Sequence, residues 1–159
     1  MSSTDSSNTF TISEAEARLG PPLMGALLRM AYETVRRRML ESLHANGFVD
    51  LDAPHLNVLQ YPGPDNVRPS DLAARLRISK QALNYQLGEL ERLGYLERHP
   101  DPDDLRSRRI VLTERGWATV PVIREAVLDT EREWAAQLGD DRLEELRALL
   151  LELRALPTP

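Results

Sequence analysis

RPSDLAARLRISKQALNYQLGELERLGYLERHPDPDDLRSRRIVLTERG, residues 68–116, changes its period a little past its midpoint. Pro69 suits a first helical position, where its fixed φ is helical and its missing N–H has no partner to lose, so it starts a short helix, DLAARL, ending near Ile78. Ser79 can cap the next helix, whose Leu83, Leu87 and Leu90 fall on one face and whose last turn is followed by Gly94. Beyond Gly94 the period shortens: Tyr95-Leu96-Glu97-Arg98 is strand-like, residues 99–105 (HPDPDDL) form a tight polar turn, and Arg109-Ile110-Val111-Leu112 returns as a second strand. The stretch therefore predicts two helices around a turn, then a β-hairpin with a charged tip.

Working outward, HLNVLQY, residues 55–61, predicts a short helix stopped by Pro62-Gly63-Pro64. Pro21 and Pro22 open a longer segment with Leu23, Leu27, Met30, Met39 and Leu43 at mostly three- and four-residue steps, which predicts one helix over residues 21–46 ending at Gly47. On the other side, Thr113 caps a long helix to about Leu138 with a kink expected at Pro121, and Gly139 breaks the pattern. Asp141 with Glu144 three residues later marks a last helix, carrying Leu143, Leu146, Leu150 and Leu153 as a stripe. The expected fold class is mainly α with a small β-hairpin wing, a winged helix-turn-helix lobe plus a helical dimerisation platform. Its parts are a loose polar tail over residues 1–20, an N-terminal dimerisation helix over 21–52, the winged lobe over 53–113 and C-terminal dimerisation helices over 114–159.

The chain has 159 residues, enough for one domain with helical extensions, and its apolar runs are too short to span a bilayer. Residues 1–9 lack the basic start and apolar run of a secretion signal, so a cytoplasmic location is expected. Without any cysteine, thiolate metal sites, cysteine nucleophiles and thiol sensing are excluded. The three histidines, His44, His55 and His99, have no carboxylate or second histidine at metal-ligand spacing. No nucleophile elbow and no phosphate-cradling glycine loop is present. No catalytic residue, no metal and no cofactor is therefore expected.

The net charge is −5, from 20 basic and 25 acidic residues, which by itself points away from nucleic acid. The distribution points the other way. Residues 62–116 hold ten bases against nine acids, +1, leaving ten against sixteen, −6, for the rest. Positive charge is concentrated in the stretch that carries the helix pair and hairpin.

That stretch closely resembles the MarR family of bacterial transcriptional regulators. The resemblance rests chiefly on DPDDLRSRRIVLTERG, residues 101–116, where the family carries a DPxDRR turn, an alternating strand and LTxxG; Leu105 replaces the first arginine of that turn. By element order the resemblance spans residues 22–154. It implies a homodimer on double-stranded DNA, most simply a repressor on a pseudo-palindromic operator, released by a small, commonly aromatic or anionic, effector.

The residues support that implication on physical grounds. On the helix after Ser79, Gln81, Asn84, Tyr85 and Gly88 lie roughly 100–200° from Leu83, so they face away from the core. Gln and Asn can bond an adenine bidentately, Tyr85 can reach a phosphate or a thymine methyl, and Lys80 suits a phosphate. Gly88 would let the helix sit close to the backbone. The resemblance further implies that Asp104 pairs with Arg106 and aims it into the minor groove, with Arg108 and Arg109 beside it. Arg77 stands where the family often has glycine, and is either strained or a phosphate contact; Arg68 is either a phosphate clamp or a solvated surface residue. Tyr32, His44, His55 and Tyr61 are the candidates for lining an effector pocket. Arg36-Arg37-Arg38 reads best as a solvated helix face. The alternative function is a winged-helix protein-interaction module, supported by the acidic total and by Leu105.

Overall fold

The protein's computed structural model describes residues 19–156; the expected tail over residues 1–20 lies outside them except for Leu19 and Gly20. Two compact units are present, one ending at Thr34 and one beginning at Val35. Helix α1, Met24–Ala45, contributes to both. It starts three residues later than Pro21, because its first turn closes where the Ala26 and Leu27 N–H groups both donate to the Leu23 carbonyl. In the first unit, Leu23, Met24, Leu27, Leu28 and Met30 are exposed, and Arg29 pairs with Glu33 one turn on at 2.9 Å. The stripe expected along this helix therefore divides: Met39 and Leu43, in the second unit, are core residues.

The second unit continues with α2, Ala53–Leu59, α3, Pro69–Leu76, and α4, Lys80–Arg92. An antiparallel hairpin follows, β1, Leu96–Asp101, with β2, Asp104–Leu112, then α5, Glu114–Leu138, and α6, Asp140–Ala155. Its core gathers one face of each short element: Leu56 and Leu59 from α2, Leu72 from α3, Leu83, Leu87 and Leu90 from α4, Leu96 and Ile110 from the hairpin. This is a winged helix-turn-helix, mainly α with one small hairpin.

Two local features depart from the sequence expectation. Helix α2 begins at Ala53 rather than His55, because Asp52 is its N-cap and His55, inside the first turn, completes a capping box: its Nδ1 accepts the Asp52 N–H at 3.0 Å. The hairpin loop is only Pro102-Asp103, not residues 99–105, because the Asp101 carboxylate accepts the Asp103 N–H at 2.9 Å and closes the turn early. Helix α5 carries Pro121 within its Glu114–Leu138 span, at an exposed position where water can reach the Trp117 carbonyl that the ring leaves without a helical donor.

Other expectations hold at atomic detail. Ser79 Oγ accepts the Ala82 N–H at 3.1 Å and Thr113 Oγ1 accepts the Gly116 N–H at 3.1 Å, capping α4 and α5. Helix α6 buries no residue, and Leu146, Leu149, Leu150 and Leu153 form an exposed stripe along it.

Candidate nucleic-acid interface

Helix α4 is held by its apolar face and presents the opposite one. Leu83, Leu87 and Leu90 are at most 1% exposed, whereas Lys80, Gln81 and Asn84 are exposed and Tyr85 is 73% exposed. The three- and four-residue spacing of the leucines dictates this, since Gln81, Asn84 and Tyr85 then fall on the opposite side of the helix. Among the described residues nothing requires glycine at position 88: a Cβ there would meet only Arg98 Nη2, at 3.8 Å, an ordinary contact. Arg77 ends α3 in the left-handed region, φ 53° and ψ 40°, with its side chain exposed.

The wing is organised around an aspartate that the sequence reading did not single out. Asp101 has no exposed side-chain surface; its Oδ2 accepts the Arg68 Nε–H, and its Oδ1 forms an ion pair with Arg109, whose Nε lies 3.0 Å away. Burial pushes the Asp101 pKa up, but the Asp103 N–H and the two guanidinium groups outweigh it and hold the carboxyl below its ordinary range. Arg109 continues to Asp103 Oδ2 at 2.8 Å and Asn66 Oδ1 at 3.2 Å. Arg68 is thus tied to the wing while its side chain stays 36% exposed, and Arg109 turns inward to tie the wing to the segment before α3. The Asn66 N–H donates to the Ile110 carbonyl at 2.7 Å and Ile110 returns a bond to Val67 at 3.0 Å, so that segment also pairs with β2.

Asp104 does bond Arg106, through the backbone rather than the guanidinium expected from the resemblance. Its Oδ1 accepts the Arg106 N–H at 3.1 Å and its Oδ2 accepts the Ser107 hydroxyl at 2.9 Å. The Arg106 and Arg108 side chains are exposed, and among the described residues no carboxylate pairs with either. Between the wing and the helices lies a cleft of about 290 Å³ lined by Arg68, Ser70, Asn84, Arg98, Ser107 and Arg108. Arg98, held by Glu91 at 3.2 Å, was also missed. Its only signal was the alternation with Leu96 along the strand, and Asp101's was its place between two prolines.

The effector candidates have separate places. His44 Nε2 lies 2.7 Å from the Leu51 carbonyl and His55 Nδ1 accepts the N–H of the α2 cap residue Asp52, so both serve the α1–α2 connection. Tyr61 is 88% exposed, outside any enclosed site, and Tyr32, 42% exposed, belongs to the unit ending at Thr34. The arginine triplet is less solvated than its sequence suggests. Arg36 donates to the Asn57 side chain at 3.1 Å and to the Ala53 carbonyl, and Arg38 pairs with Glu133 of α5. Among the described residues no three His, Asp or Glu side chains gather as a metal site, and no helix is long and apolar enough to cross a membrane.

A family model described as the MarR family matches residues 50–107, which covers α2 to the wing. The chain is 33% identical over 87 residues to the HTH-type transcriptional regulator PecS of Dickeya dadantii, a match covering 55% of this chain and 52% of PecS. It thus spans about half the length of the curated relatives it matches. The likeness to solved structures is longer. Wild-type MarR of E. coli in its apo form superposes with a TM-score of 0.65 at 27% identity, over 86% of this chain and 98% of that one. A MepR variant of S. aureus bound to an oligodeoxyribonucleotide superposes with a TM-score of 0.53 at 22% identity, over 84% and 97%, a likeness of fold.

Proposed function

We propose that the chain is a member of the MarR family and a sequence-specific, double-stranded-DNA-binding transcriptional regulator acting as a homodimer on a pseudo-palindromic operator in the bacterial cytoplasm. The observation that carries this is the pairing of two exposed features, the Gln81, Asn84 and Tyr85 face of α4 and the unpaired Arg106 and Arg108 of the wing. A major groove admits a helix whose outward face carries amides, and each good bidentate contact to a base is worth about 1–3 kcal/mol of discrimination. Arg106 then enters the adjacent minor groove, where the narrow width of A·T-rich DNA concentrates negative potential. Lys80, Arg77 and Arg108 neutralise phosphates and set the register without reading sequence. Ser79 contributes by capping α4, which keeps the first turn of the reading helix formed.

A palindromic site needs two reading helices about one DNA turn, roughly 34 Å, apart. The exposed leucines of α6 and the exposed Leu and Met residues at the start of α1 supply apolar surface for a partner copy. Repression released by a small effector follows if the effector binds better to a dimer whose lobe spacing no longer fits the operator. The relatives named above are regulators rather than enzymes, and we assign this chain no catalytic role and no cofactor.

The test is enrichment of genomic fragments at two salt concentrations with the native chain, Gln81→Ala and Arg106→Ala side by side. The expected result is salt-sensitive selection of inverted repeats, weakened in both variants. Absence of any selection by a folded dimer would overturn the proposal in favour of a winged-helix module that binds protein.

A further inference from the structure

Leu105 projects from the one part of the wing that the strand ladder does not hold. Pro100 faces Arg108 and the next residue, Asp101, faces Asp104, so Leu105, Arg106 and Ser107 lie between these partners with no β1 residue opposite. Asp104 fixes the segment from within, one oxygen on the Arg106 N–H and the other on the Ser107 hydroxyl. Both ends of the protrusion are thus tied down while its outermost side chain, Leu105, stays 80% exposed. Among the described residues, Leu105 does not join the hydrophobic core. Its neighbours Arg106 and Arg108 are exposed cations, whereas the acids Asp101 and Asp103 are taken up by Arg109.

We propose that Leu105 is an apolar minor-groove contact, entering beside Arg106 and packing on the deoxyribose walls; this rests on the DNA-binding reading above. The minor groove is about 6 Å wide, and leucine is among the apolar side chains that proteins insert there. Such a contact differs from a cation in one measurable way. A guanidinium at a phosphate releases a counterion, so its contribution falls as salt rises; leucine releases none, so its contribution does not. The wing therefore divides its work between a salt-sensitive member, Arg106, and a salt-insensitive one, Leu105.

The test is a titration of the native chain, Leu105→Ala, Leu105→Arg and Arg106→Ala against the fragment the native chain selects, across a range of salt. Leu105→Ala is expected to bind about tenfold more weakly with an unchanged salt slope. Leu105→Arg is expected to steepen the slope by about one, and Arg106→Ala to flatten it by about one. Leu105→Ala binding as tightly as the native chain, while Arg106→Ala flattens the slope, overturns the apolar contact and leaves the regulator standing. A native chain that selects no DNA overturns both. Thermal melting of Leu105→Ala is expected to coincide with that of the native chain; a lowered melt accompanying the weaker binding would overturn the proposal by making the residue structural.

Discussion

Asp101 Oδ1 lies 3.0 Å from Arg109 Nε, and no part of the Asp101 side chain reaches solvent. With Arg68 on its other oxygen, this one carboxylate joins the N-terminal end of α3, the turn of the wing and the return strand. The orientation of the wing toward the reading helix rests on it.

Replacing Asp101 with Asn is therefore expected to lower stability at pH 7 and to change its pH dependence. The carboxyl titrates below its ordinary value of 3.8 in the folded chain, so the unfolded chain binds more protons in that window. Its stabilisation is fully present above about pH 4–5 and is lost as pH falls through the ordinary value toward the folded one. Urea midpoints measured from pH 7 to pH 3 should fall less steeply for Asp101→Asn than for the native chain.

Tyr95 is buried beneath the start of α5, where its hydroxyl donates to Asp50 Oδ1 at 2.5 Å and Arg115 Nη2 reaches Asp50 Oδ2 at 2.9 Å. The Arg115 Cζ also stands 4.3 Å from the Tyr95 ring centre. Tyr95→Phe removes a hydrogen bond to a charged acceptor and should cost about 1.5–3 kcal/mol in denaturant unfolding. Burial, then Asp50, pushes the Tyr95 pKa well up. Its stabilisation is thus held below the ordinary tyrosine value of 10.0 and lost above it, and Tyr95→Phe should lack that alkaline loss.

Gly116 is required by space rather than by φ. A Cβ there would stand 2.0 Å from the Tyr95 carbonyl oxygen and 3.0 Å from a Leu112 methyl. Backbone cannot yield as a flexible side chain can, so Gly116→Ala should destabilise by at least about 3 kcal/mol, read by chemical denaturation.

Arg77 occupies a left-handed position that glycine holds without penalty. Arg77→Gly is expected to raise stability by about 1 kcal/mol in thermal melts while weakening DNA binding and flattening its salt slope. The two readouts separate the strain from the contact.

The exposed leucines of α6 should report on assembly. Leu150→Glu with Leu153→Glu, on residues 40% and 53% exposed in the single chain, is expected to convert the proposed dimer to monomer in sedimentation and to abolish the proposed operator binding.

The sequence by itself determined the element order, because each element is specified by neighbours a few residues away. Ser79 and Thr113 cap the helices they precede, the leucines of α4 repeat at helical spacing, and the alternation after Gly94 announces a hairpin. It likewise placed the outward face of α4, since burying Leu83, Leu87 and Leu90 leaves Gln81, Asn84 and Tyr85 no other direction. Only the tertiary structure decided which charges are free. Arg68 and Asp101 are 33 positions apart and Arg109 and Asn66 are 43, so nothing local distinguishes these arginines from Arg106 and Arg108. The distinction arises when the segment before α3 folds against the wing: two arginines reach a buried carboxylate and are neutralised, and two stay in solvent with their charge available to a partner.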